Sequence, residues 1–193
     1  MNLSRPLLLA SNSPRRKELL TSLGLTFKVK VKEVHEDFPK HLQREEVAEY
    51  LASHKAEAYR DDLRDEALIT ADTIVCLGDR VLNKPTDYAE AFEMLQALSG
   101  KGHEVITGVC VLTQDQKAVF HDTTKVYFKT LSEAEIDYYI THYQPYDKAG
   151  AYGIQEWIGM IGIERIEGSY FNVVGMPVQK LYIQLQALGL ILA

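Results

Sequence analysis

The sequence predicts an α/β protein: a long, mixed, twisted sheet flanked by helices, in two lobes around a central cleft. Near-continuous apolar runs at 6–11 and 67–77 read as buried strands. Two long strand-like runs, 104–113 and 117–130, are joined by the polar turn "QDQ". Helical segments with capping signals lie among them, without strict alternation. With no internal repeat and no linker, the 193 residues are expected to form a single domain, 1–193.

After the first strand, Ser13 suits an N-cap and Pro14 the first helical position, and Gly24 stops the helix. Leu19, Leu20 and Leu23 give that helix its core face. "TFKVKVK" (26–32) alternates as a strand with one wet side, and an acidic, irregular stretch follows. A helix over about 44–60 places Val47, Leu51 and Ala58 near one face. Turn signals at 78–79 and 83–87 bracket a short strand. Asp87 with Glu90 starts a helix that ends at Gly100. "SEAE" (132–135) is a capping box, Ser132 with Glu135, opening a helix to about His142. A glycine-rich stretch, "DKAGAYGIQEW", precedes strand-like segments at 158–166 and 170–174. The chain closes with a helix that has Pro177 near its start.

Composition narrows the function. A net charge of −6 argues against bulk nucleic-acid or anionic-membrane binding, since both want a basic surface. No apolar run approaches the roughly 20 residues that span a bilayer, and no signal-peptide layout follows the N-terminus. Cys76 and Cys110 lie in apolar runs and read as core thiols, with a disulfide the weaker alternative. The histidines lack zinc-ligand spacing. A cytoplasmic protein fits all of this.

The first helix carries Arg15 and Arg16 where its dipole already supplies positive charge, a placement that favours an anionic ligand. Ser11, Asn12 and Ser13 add donors at the same junction. There is no Walker A loop, because its lysine and glycine frame are missing. Two solvated arginines on a surface helix are an even alternative. Asp72 interrupts "LITADTIVCL", where a buried charge is costly unless paired or bound to a cation. It reads as a metal ligand or as a structural partner of Lys84, which a hairpin would bring near. Lys55 either snorkels to water or serves a phosphate. Glu33, Glu36 and Asp37 form a solvated loop or complete a metal site with Asp72. Gln155, in a stretch suited to close approach of a flat ligand, could read a base edge. Together these residues suit a base-bearing triphosphate held for attack by water, chemistry that needs charge neutralisation and positioning more than a protein nucleophile.

"LASNSPRRKELL", "ADTIVCLGDRVLNKP", "LSGKGHEVITGV" and "DKAGAYGIQ…IEGSYFNVVGMPV" resemble the Maf family of nucleotide pyrophosphatases, in that family's order and over nearly the whole chain. The resemblance implies metal-dependent (Mg²⁺ or Mn²⁺) cleavage of a nucleoside triphosphate between its α and β phosphates. It also implies an α/β fold like that of the inosine triphosphatases, and a homodimer. Arg15, Thr73 and Gln155 match the branch acting on dTTP and UTP. By the same matching, Asp72 falls on the general base, Ser11, Arg16, Lys55 and Lys84 on phosphate-handling positions, and Glu36 with Asp72 on the metal site. Glu156 and Trp157 depart from the pattern, where many relatives carry glycine. The other readings are a nucleotide-binding regulator of septum formation, and a pyrophosphatase preferring purine or 7-methyl-GTP substrates.

Overall fold

The computed structural model describes Met1–Leu192. Its strands are β1 (Leu7–Leu9), β2 (Lys28–Val29), β3 (Ala67–Leu77), β4 (Arg80–Leu82), β5 (Gly102–Leu112), β6 (Lys117–Phe128) and β7 (Ile163–Glu167). Its helices are α1 (Pro14–Ser22), α2 (Glu45–Glu57), α3 (Tyr88–Leu98), α4 (Glu133–Tyr143), α5 (Trp157–Gly162), α6 (Tyr170–Val174) and α7 (Val178–Ala187). The expected mixed sheet is present, in the order β2-β1-β3-β5-β6-β7, with β4 on β3. β1 runs parallel to β2 and β3, whereas β3–β4 and β6–β7 are antiparallel.

Two units divide the chain, one of Met1–Asp72, Thr107–Asp122 and Gly175–Ala193, the other of Thr73–Ile106 and Thr123–Val174. In the first unit, strand alternation builds two cores. Leu7, Leu9, Ala67, Ile69, Val109 and Val111 pack with Leu20 of α1 and Leu181 and Leu185 of α7. Leu8, Leu68, Cys110 and Leu112 point the other way and pack with Ala52 and Ala56 of α2. Both cysteines are buried thiols, and burial pushes Cys110 up to about 11. In the second unit, α3 and α4 bury Leu95, Leu98, Ile136 and Tyr139 against Val105, Val126 and Phe128.

Local signals explain most element boundaries. The Ser13 hydroxyl accepts the Arg16 N–H at 3.4 Å, and Gly24 takes φ +80° just beyond α1. The capping box forms as expected: Glu135 N–H donates to Ser132 Oγ at 3.3 Å, and Ser132 N–H to Glu135 at 2.8 Å. Four expectations need correction. The run at 26–32 is a strand only over Lys28–Val29, with Lys30 N–H still bonded to the Leu9 carbonyl at 3.1 Å. It has no dry side, because Val29 and Val31 are exposed at this edge of the sheet. Ala58 is the exposed C-cap of α2, and Ala56 is buried instead. Residues 157–162 are helical, since the Glu156 carbonyl accepts from Gly159 at 2.9 Å and Met160 at 3.3 Å. Residues 170–174 are also helical: Asn172 N–H bonds Ser169 Oγ at 3.3 Å, and its amide reaches the Val105 carbonyl at 3.0 Å. On α4, Tyr139 is buried, whereas Tyr138 and Tyr143 are exposed.

His103 sits in the core of the second unit, edge-on to Tyr152 and 2.7 Å from its hydroxyl. Burial pulls its pKa from about 6.5 down to about 4, so the folded protein holds it neutral where the unfolded chain would protonate it. Between those values the unfolded state binds the extra proton, so stability falls as pH drops. The loss attributable to this group reaches about 3 kcal/mol by pH 4. Urea melts at pH 7 and pH 4 should show a smaller acid loss in His103→Phe than in the parent. Equal losses in both would rule out His103 as their source.

Candidate active site

α2 delivers a lysine to the middle of β3. Ala48, Ala52 and Lys55 share one helix face, and that face lies on β3 and β5. Gly108 of β5 accommodates Ala48: a Cβ there would lie 2.2 Å from the Ala48 carbonyl oxygen. One turn on, the Thr70 hydroxyl donates to the Ala52 carbonyl at 2.6 Å. Two residues further along β3, Asp72 projects from the same strand face as Leu68 and Thr70 and meets Lys55. Lys55 Nζ is 2.5 Å from Asp72 Oδ1 and 2.8 Å from Glu36 Oε1. Asp72 is only 7% exposed, so its charge depends on this partner. Of the three acidic residues in the loop before α2, Glu36 is the one that meets Lys55.

The start of α1 adds a second cation. No acidic residue occupies the first turn of that helix. Arg16 donates from Nε to the Gly175 carbonyl at 2.9 Å and from Nη1 to the Ala71 carbonyl at 2.8 Å. Ser11 Oγ also accepts from Arg16, at 3.4 Å, and from the Ser13 N–H at 3.2 Å. Burial lowers the Arg16 pKa, Asp72 opposes that shift, Arg15 reinforces it and Glu36 offsets it again. Arg16 thus braces the chain beside Asp72 and stands in the field of both carboxylates. Arg15, the next position back on α1, is half-buried.

The first unit therefore gathers Ser11, Arg16, Glu36, Lys55 and Asp72. Thr73, Lys84 and Gln155 belong to the second unit. Lys84 is exposed on the turn after β4, and the neighbouring Asn83 carbonyl accepts the Gly150 N–H at 3.2 Å. Gly150 and Ala151 adopt left-handed backbone, φ +69° and +59°. Such a conformation is strained for a buried alanine and recurs where backbone is shaped for a ligand. Gln155 follows four residues later.

Glu36 and Asp72 each place an oxygen within 3 Å of one ammonium nitrogen, so a cation already lies between them. Two hard oxygen donors suit Mg²⁺ or Mn²⁺, which hold phosphates through one or two carboxylates and water. Among the described residues no group of three or more His, Cys, Asp or Glu is placed to hold a metal. No described helix is long and apolar enough to cross a membrane.

The comparisons of sequence agree with the motifs. The dTTP/UTP pyrophosphatase of Bacteroides fragilis (strain YCH46) is 54% identical over 190 residues, covering 97% of this chain and 98% of that protein. That of Flavobacterium psychrophilum is 52% identical over 180 residues, covering 93% and 92%. Among solved structures, the Staphylococcus aureus Ham1 protein matches with a TM-score of 0.43 and 17% identity, over 64% of this chain and 72% of that one. A family profile described as Maf-like protein matches residues 6–188. With nearly its whole length matched, the chain belongs to the Maf family.

Proposed function

We propose that this protein hydrolyses dTTP and UTP between the α and β phosphates, releasing the monophosphate and pyrophosphate. What carries the reading is the Glu36–Lys55–Asp72 cluster, in a chain 54% identical to a protein named for that activity. Asp72 accepts a proton from water as its oxygen bonds to phosphorus, in line with the departing pyrophosphate. Lys55, which lies between Glu36 and Asp72, would present its ammonium to the phosphates. Ser11, Arg16 and Lys84 add hydrogen bonds and charge against the negative charge that builds there. Glu36 and Asp72 would hold a divalent cation, which would neutralise phosphate charge. Arg15, Thr73 and Gln155 choose the base. This reading has the enzyme act in the cytoplasm as a homodimer.

The test is pyrophosphate release from UTP, dTTP, CTP, GTP, ATP and 7-methyl-GTP, with Mg²⁺ or Mn²⁺ and with EDTA. The expected result is turnover of UTP and dTTP, abolished by EDTA. A preference for a purine triphosphate would overturn the substrate reading, and tight binding without turnover would overturn the enzymatic one.

A further inference from the structure

Gln155 lies on a turn that the second unit braces from below. Tyr139, on the buried face of α4, is in the middle of it. Its hydroxyl accepts the Gly153 N–H at 3.0 Å and donates to Glu156 Oε2. Burial, and then the bond to Glu156, raise the Tyr139 pKa, so this hydroxyl stays a donor. The other Glu156 oxygen lies 3.1 Å from Lys148 Nζ, which is also 2.7 Å from Asp147 Oδ1. Lys148 is 7% exposed, so its ammonium depends on those two carboxylates. The Glu156 N–H closes the turn onto the Gly153 carbonyl at 3.0 Å.

The turn leaves Gln155 little freedom. A Cβ on Gly153 would lie 3.0 Å from Gln155 Nε2 and 2.9 Å from Glu156 Cδ, so the amide and the carboxylate both fold over that glycine. Gln155 Oε1 is buried and has no hydrogen-bond partner among the described residues. A buried acceptor without a donor costs stability unless a ligand supplies one. Glu156 thus holds in place an amide whose acceptor waits for a donor.

The chemistry of pyrimidines gives that fixed position a consequence. Uracil and thymine present an imide N–H next to a carbonyl, which complements Oε1 and Nε2 of an amide. Cytosine presents an amino N–H next to a ring acceptor, displaced by about one atom along the same edge. A mobile glutamine satisfies either by sliding, so its identity alone does not separate the two bases. A fixed amide pairs well with one register only.

We propose that Glu156, clamped by Tyr139 and Lys148, is a positioning residue that locks the Gln155 amide in the register of an imide-bearing pyrimidine and so rejects cytosine. The inference rests on the reading of Gln155 as the residue that meets the base. Its discrimination is visible in binding, so it is measured apart from turnover.

The experiment measures equilibrium binding of UMP and CMP, with pyrophosphate release from UTP and CTP in parallel. The parent, Glu156→Ala, Glu156→Gln and Tyr139→Phe are compared. The parent is expected to prefer UMP by roughly tenfold or more, the scale of a correctly made against a broken hydrogen-bond pair. Glu156→Ala and Tyr139→Phe should lower that ratio severalfold, through weaker UMP binding and a raised KM for UTP, with kcat little changed. Glu156→Gln, which keeps an acceptor for Tyr139, should retain most of the preference. A parent that binds UMP and CMP equally overturns the proposal, as does an unchanged ratio in folded Tyr139→Phe. That variant decides the matter if Glu156→Ala does not fold. A parent that discriminates in binding yet releases no pyrophosphate leaves the inference standing and refutes the enzymatic reading.

Discussion

Asp72→Asn should yield a folded protein whose pyrophosphate release from dTTP and UTP falls by at least about a hundredfold, the lower end of what general-base help supplies. Asparagine keeps the size and one acceptor oxygen of the aspartate but cannot take a proton from water. Lys55 keeps its bond to Glu36 at 2.8 Å, so its ammonium is not stranded and the melting temperature should change little. On the proposed reading, in which Gln155 of the second unit meets the base, binding of UMP should survive. Turnover at the parent's rate in this variant would remove Asp72 from the reaction. A large fall in melting temperature would instead assign Asp72 a structural role as Lys55's partner.

Gly108→Ala is expected to destabilise the first unit severely. The new Cβ would stand 2.2 Å from the Ala48 oxygen, 2.3 Å from its carbonyl carbon and 2.7 Å from Glu49 N. All three are backbone atoms of α2, so no side-chain rotation relieves the clash and the helix itself must retreat. Retreat opens the packing of Val47, Ala48, Leu51, Ala52 and Ala56, all buried, and the cost should reach about 3 kcal/mol or more. The shift also carries Lys55 away from Asp72, so surviving protein should turn over slowly. Gly24→Ala is the control: φ is +80° there, but the added Cβ meets nothing within 4 Å, and strain of about 1 kcal/mol is the whole expected effect. Urea midpoints for both variants make the comparison. Equal shifts would mean that α2 is not seated on Gly108.

The same pair of elements shows how far the sequence could be read. Val47 and Leu51 marked an inward face on the second helix, and the apolar run at 67–77 marked a buried strand, so a lysine and an aspartate were each known to sit oddly. Nothing local said that they met. That depends on Gly108 and Thr70, separated by 38 residues in sequence, fixing the height of the helix over the sheet. The acidic loop before α2 was ambiguous for a related reason: it has no periodicity, and only contact with Lys55 singles out Glu36. Arg16 was read as a clamp for phosphate, and the structure adds that it holds the carbonyls of Ala71 and Gly175. Glu156 stood out only as a departure from the family pattern, because its partners Tyr139 and Lys148 come from a different helix and turn.

Properties set by near neighbours were therefore determined by the sequence itself. They include the Ser13 and Ser132 caps, the β3–β4 turn, the α/β class, the acidic surface and the Maf motifs. Each depends on residues a few positions apart, whose spacing already encodes their hydrogen bonds and faces. Short apolar runs such as "IGMIG" were not determined in this way, since four to six apolar residues suit a buried strand or a buried helix equally. There the tertiary structure decided, by packing Ile158, with Trp157 and Ile161 beside it, into the core of the second unit. It decided the ionic partners too. A charge of low exposure takes its counter-ion from whatever the packing brings within about 3 Å, and that distance is a property of the assembled core rather than of spacing along the chain.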